Sequence, residues 1–161
     1  MKTVNLDKEC NQISTSDLFY TKNRYAVIVV DDDEYFNKML IHELTMAIDD
    51  LKTVSDIELI FSAYTQGADF LKDLADKRFM NSSMVVFLDY YLEKGLKASY
   101  ILEKITEIDS APIVIILSST INKETSVDTR IMGAVGFMSK DSHTPRICRM
   151  LLEQIVSRSE I

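Results

Sequence analysis

The chain has 161 residues, 47% of them hydrophobic, enough for one sizeable core and too few for two ordinary domains. Its 18 Lys+Arg against 25 Asp+Glu leave a net charge of -7, which argues against a broad phosphate-binding footprint on nucleic acid and against docking on anionic lipid. No segment has the length and apolarity of a membrane span, and residues 1–23 lack the apolar centre of a signal peptide, so the expected compartment is the cytoplasm.

Residues 1–23 are polar, with Leu6, Ile13, Leu18, Phe19 and Tyr20 scattered at no clear period. They read as an N-terminal extension, with at most one helical turn near Ser16 to Tyr20, ahead of a single domain over residues 24–161. Tyr25 to Val30 (YAVIVV) is apolar on both faces, as a strand buried inside a parallel sheet must be, and it stops on Asp31, Asp32 and Asp33. Phe36, Leu40, Leu44, Ala47 and Leu51 then recur at helical spacing. Acids in a first helical turn suit the helix N-terminus, and capping accounts for one or two of these aspartates. Three in a row exceed that need, because adjacent like charges repel unless a cation offsets them.

Ile57 to Phe61 reads as a second, amphipathic strand, followed by a helix from about Gln66 to Ala75 with Phe70, Leu71 and Leu74 inward. Met84 to Leu88 is again apolar on both faces and ends on one carboxylate, Asp89. A helix follows from Leu96 to Ile108, with Ala98, Ile101, Leu102 and Ile105 on one side. Pro112 opens the strand IVIIL, which ends at Ser118, Ser119 and Thr120. Beyond it the pattern predicts a helix over about 123–132, a short strand from Gly136 to Ser139, and Lys140. Thr144 and Pro145 suit the N-cap and first position of a last helix.

Strands alternating with helices predict right-handed βαβ units, hence an α/β fold with a doubly wound five-stranded parallel sheet and five helices. In such a sheet the carboxyl ends of the strands share one edge, where ligands bind. Taken alone, Asp89 is equally well the first polar residue of a loop. Together, Asp31, Asp32, Asp89, Ser118 and Lys140 would converge in one crevice. Clustered oxygen donors with an acid excess suit a hard cation such as Mg2+. A carboxylate beside that ion can attack phosphorus, with the ion, the lysine and the hydroxyl sharing the phosphoryl oxygens.

Four stretches, VIVVDDDEYF, VVFLDYYLEKG, PIVIILSS and GAVGFMSK, resemble in order the landmarks of the receiver domains of bacterial two-component response regulators, the CheY-like family. The resemblance runs from about Arg24 to the C-terminus, and the separations of Asp89, Ser118 and Lys140 are those typical of the family. It implies a CheY-like, flavodoxin-like three-layer sandwich. It implies that Asp89 accepts a phosphoryl group from the phosphohistidine of a histidine kinase or histidine phosphotransfer protein. It further implies Mg2+ as cofactor, with Asp32, Asp89 and the backbone carbonyl of Tyr91 as direct ligands and Asp31 acting through water. Ser118 resembles the switch hydroxyl, and Lys140 the lysine that pairs with the acids at rest and with the phosphate afterwards. Phe137 matches the switch aromatic, with ordinary core packing as its alternative. Such a module is not an enzyme in the usual sense, since only self-phosphorylation and self-dephosphorylation are expected of it.

Two departures from the family pattern, and two positions that the family varies, stand out. Glu93 occupies the place of a proline four residues after Asp89, which predicts a looser loop. Asp141 replaces the proline that usually follows Lys140 in a cis bond, and the cost of a non-proline cis bond predicts trans. Tyr91 and Thr120 fill positions that tune phosphoryl lifetime in the family.

In the last helix, Ile147, Leu151 and Ile155 form one apolar row and Cys148, Leu152 and Val156 the next. That width suits either a homodimer or target surface, or a deep groove that buries both rows. His42 and His143 read as solvated surface residues. The two cysteines, Cys10 and Cys148, indicate free thiols rather than a disulfide framework or a zinc site. Expected partners are the phosphoryl donor and an unknown protein target or missing output domain, with no direct nucleic acid contact and no membrane. Two rivals stand beside the receiver reading. One is a degenerate receiver acting as a phosphorylation-independent interaction module. The other is a haloacid-dehalogenase-type phosphohydrolase, for which Asp31 to Asp33 supply the DxD spacing but which needs a longer chain.

Overall fold

The computed structural model describes residues 24–109, 111–120, 128, 130 and 132–158. The N-terminal extension expected over 1–23, and most of the helix expected over 123–132, lie outside the described residues. Five strands, β1 (Arg24–Val30), β2 (Glu58–Tyr64), β3 (Ser83–Asp89), β4 (Ile113–Ser118) and β5 (Gly136–Ser139), form one parallel sheet in the order β2-β1-β3-β4-β5. Four α-helices are described: α1 (Glu34–Val54), α2 (Gly67–Ala75), α3 (Ala98–Ile108) and α4 (Thr144–Arg158). The strand order reverses between β1 and β3, and the crevice of a doubly wound sheet opens at that reversal.

β1 and β3 are apolar on both faces because each face meets its own helical layer. Ala26, Ile28, Val30, Met84, Val86 and Leu88 pack with Phe70, Leu74, Ile101, Leu102 and Ile105 of α2 and α3. Val27, Val29, Val85 and Phe87 pack with Leu40, Leu44 and Leu51 of α1 and with Cys148, Leu152 and Val156 of α4. Phe87 is fully buried at the centre, so truncating it to alanine would cost about 3–5 kcal/mol. Cys148 is a free, buried thiol, and burial pushes it up to about 12.

β2, at the sheet edge, runs to Tyr64, three residues past the apolar signal that ends at Phe61. Ser62, Ala63 and Tyr64 carry no strand-like pattern, but they pair in register with Ile28, Val29 and Val30. The extension sets the end of β2 beside Asp31, whose N–H donates to the Tyr64 carbonyl at 3.0 Å.

At the start of α4 the cap differs in detail from the expected Thr144. Asp141 Oδ1 accepts from the N–H groups of His143 (2.7 Å) and Thr144 (3.1 Å), and Thr144 Oγ1 accepts from Asp141 N–H at 2.9 Å. The bond to His143 N–H heads the influences that hold the Asp141 carboxyl below its usual range. All described peptide bonds are trans, the one between Lys140 and Asp141 included. An aspartate that caps α4 thus fixes the chain just past Lys140 with a hydrogen-bonded turn instead of a ring.

Candidate functional site

The three aspartates after β1 divide by direction. Asp33 caps α1: its Oδ1 accepts from Tyr35 N–H at 3.0 Å and Phe36 N–H at 3.1 Å. Asp31 turns inward, 1% exposed, and its Oδ1 accepts from Asp33 N–H at 2.9 Å. Asp32 stands exposed at the mouth of the crevice. Beneath them the buried amide of Asn37 donates to the carbonyl of Asp31 at 2.8 Å and to that of Tyr64 at 3.0 Å, tying β1 to β2.

Asp89 ends β3 at the register position opposite Leu117 of β4. Its carboxylate, with those of Asp31 and Asp32, offers three oxygens within 4.8 Å of one another. Lys140 is hung from β4 by its N–H, which donates to the Ser118 carbonyl at 2.9 Å. Its Nζ lies 2.7 Å from Asp31 Oδ2 and 3.1 Å from Asp89 Oδ1. The Phe36 ring closes another side, its centroid 5.0 Å from that ammonium. Residues that immediately follow the first and last strands therefore meet at Asp89.

The charges are unbalanced. Burial pushes Asp89 up to about 7, the neighbouring Asp31 charge adds to the rise, and Lys140 opposes both. Burial also raises Asp31, against its hydrogen bond to Lys140. One ammonium cannot satisfy two carboxylates taken out of water.

Ser118 is buried, and its hydroxyl is engaged with its own loop, donating to Thr120 O at 2.8 Å and accepting from Thr120 N–H at 3.2 Å. Phe137 is half-buried on the α2–α3 side of the sheet, its ring centroid 6.3 Å from that of Tyr90. Tyr90 meets Tyr91 edge-on at 4.6 Å, and Tyr91 is half exposed. An aromatic row thus runs from β5 to the loop after Asp89.

Two contributors escaped the sequence reading. Asn37 sits on the buried side of α1, in line with Leu40 and Leu44, and a lone amide on an apolar helical face was the signal to follow. Glu93, which replaces a proline and predicted a looser loop, instead ties that loop to α2, its Oε1 accepting from Gly67 N–H at 2.7 Å. His42 and His143 are exposed, as the sequence suggested.

No family model matches the sequence, and no curated protein matches it. Solved structures do. A CheY-like response regulator receiver domain protein from Methanospirillum hungatei JF-1 superposes with a TM-score of 0.64 at 17% identity, covering 84% of this chain and 96% of that one. The receiver domain of a response regulator, NarL, from Mycobacterium tuberculosis gives 0.59 at 18% identity, covering 85% and 97%. The beryllofluoride-activated NtrC4 receiver domain, solved as a dimer, gives 0.60 at 19% identity, covering 81% and 94%. The fold of this chain is that of the CheY-like response regulator receiver domains. Among the described residues, no helix is long and apolar enough to cross a membrane.

Proposed function

We propose that this chain is a receiver module of a two-component phosphorelay, acting in the cytoplasm, which accepts a phosphoryl group on Asp89 with Mg2+ as cofactor and signals by changing conformation. The observation that carries the reading is the Lys140 ammonium held between Asp31 and Asp89, with the Asp32 carboxylate in the same cluster. Carboxylate oxygens in excess over the local cation are the donor set that a hard divalent ion selects. Asp32, Asp89 and the Tyr91 carbonyl would hold it, with Asp31 acting through water. When bound, Mg2+ supplies positive charge against the phosphoryl oxygens.

In the transfer, an Asp89 oxygen forms a bond to phosphorus as the P–N bond to the imidazole of a histidine kinase or phosphotransfer protein breaks. The bond pair leaves with the imidazole, which takes up a proton, and Asp89 becomes an acyl phosphate. Only ionised Asp89 is nucleophilic, so Lys140 serves first by holding that carboxylate charged. Afterwards Lys140 pairs with a phosphoryl oxygen, and the Ser118 hydroxyl exchanges its Thr120 backbone partners for another. Phe137 follows by repacking against Tyr90. The module turns over no external substrate.

Its output is a protein target, an output domain or a second copy. The α4 row containing Ile147, which is exposed in this structure together with Met150, is the surface we assign to that contact.

The test is intact-mass analysis after treatment with acetyl phosphate, with Mg2+ and with EDTA. One acid-labile phosphoryl group is expected with Mg2+ only, and none in Asp89→Asn. Absence of both incorporation and any Mg2+ response would leave a phosphorylation-independent interaction module. Sustained turnover of a small phosphate ester would indicate a phosphohydrolase.

A further inference from the structure

The loop between β3 and α3 closes on itself. Leu92 N–H donates to Leu96 O at 3.0 Å, Leu96 N–H to Glu93 O at 3.1 Å, and Ala98 N–H to Tyr90 O at 3.0 Å, while Tyr91 pairs antiparallel with Lys97. The reversal is made at Lys94 and Gly95, with left-handed φ values of 55° and 72°. The loop therefore behaves as a small solid piece, held on its inner side by buried Tyr90 and Leu92 and by the Tyr90 N–H bond to Leu117 O at 2.9 Å, and on its outer side by one polar attachment.

That attachment is the start of α2. The α2 N-cap, Gln66, makes no side-chain capping bond, so the first N–H groups of the helix need another acceptor. Glu93 Oε1 provides it, 2.7 Å from Gly67 N and 3.5 Å from Ala68 N. The approach depends on glycine: a Cβ at position 67 would stand 2.5 Å from Leu96 Cδ2 and 3.0 Å from Leu92 Cδ1. The other carboxylate oxygen, Glu93 Oε2, is buried without a partner. Burying it costs stability, and the helix N-terminus beside it works against that cost.

We propose that Glu93 is a positioning residue of the Asp89 site, clamping the 90–97 loop to α2 so that Asp89 and Tyr91 are held in register for the cation. The inference rests on the receiver reading. It assigns to one hydrogen-bonded side chain the stiffening that a proline ring would otherwise give, and it makes the start of α2 part of the site's support.

The test compares the full-length chain with E93Q and E93A by Gly67 amide hydrogen exchange, by thermal unfolding, and by Mg2+ titration followed through tyrosine fluorescence. In E93A the protection of Gly67 should fall about tenfold, the factor for roughly one lost hydrogen bond. Its Mg2+ dissociation constant should rise about tenfold, the low end for partners that orient a metal site. E93Q keeps an acceptor oxygen, so it should retain most of both protection and affinity. A folded E93A with wild-type Mg2+ affinity would overturn the proposal, and so would an E93Q that loses as much as E93A. Failure of the receiver reading is recognised separately, as absence of Mg2+ binding in the wild-type chain.

Discussion

Asp89→Asn should stabilise the cation-free protein at alkaline pH and do so much less at acidic pH. Asp89 is buried beside Asp31, and its pKa stands at about 7 against an ordinary 3.8. Its folded pKa is raised, so the folded state holds the proton more tightly than the unfolded chain does. The resulting stability is fully present below the unfolded value and is lost as pH rises through about 7. At about 1.4 kcal/mol per unit, the interval between pH 5 and pH 8 removes on the order of 2–3 kcal/mol from the wild type through this one group. Asparagine does not titrate, and it leaves Lys140 paired with Asp31 at 2.7 Å. Urea unfolding of both proteins in EDTA at pH 5 and pH 8 should therefore show the stability difference, variant minus wild type, growing by that amount. Mg2+ at a hundred times its dissociation constant would return about 2.7 kcal/mol to the wild type and close much of the gap. A difference independent of pH, or one that shrinks towards pH 8, would refute the charge assignment.

The other aspartates separate by assay. Asp33→Ala should cost about 1 kcal/mol in unfolding, for a lost helix cap, with Mg2+ affinity unchanged. Asp32→Asn should do the reverse, leaving stability near wild type while Mg2+ titration shows weaker binding. Asn37→Leu leaves the Asp31 carbonyl without its amide partner and should cost about 1–3 kcal/mol in urea unfolding. Gly67→Ala drives a Cβ into Leu96 and Leu92 and should cost about 1–3 kcal/mol while displacing the Glu93 contact, which a crystal structure of the variant would show.

The central strands were legible because burial on both faces leaves an unmistakable run: β1 and β3 read as YAVIVV and MVVFL and appear within a residue or two of those bounds. The end of β2 was not, since an edge strand needs no apolar alternation and Ser62 to Tyr64 are held by pairing with β1. The meeting of Asp31, Asp89 and Lys140 was legible because each closes a strand, and in a parallel sheet chain order alone brings those ends together. Asn37, Glu93 and Asp141 were not, because their roles depend on which backbone groups they reach across or after a turn. The helix expected over 123–132 lies for the most part outside the described residues.

The charge balance around Lys140 also bears on the proposed switch. Three carboxylates cluster where one ammonium pairs with two of them, and the Phe36 ring stands against that ammonium on another side. An aromatic wall supplies weak attraction but no oxygen, so the position of Nζ follows its two carboxylate partners. On the proposed reading, phosphorylation turns Asp89 from a carboxylate into an ester-like acyl oxygen and adds phosphoryl oxygens beside it, so the stronger acceptor moves outward. On that reading Lys140 re-aims, and the backbone beside it is tied to Ser118 O through its own N–H and to α4 through the Asp141 cap. A second lysine beside Lys140 would still leave one carboxylate charge uncompensated, whereas a divalent ion cancels both.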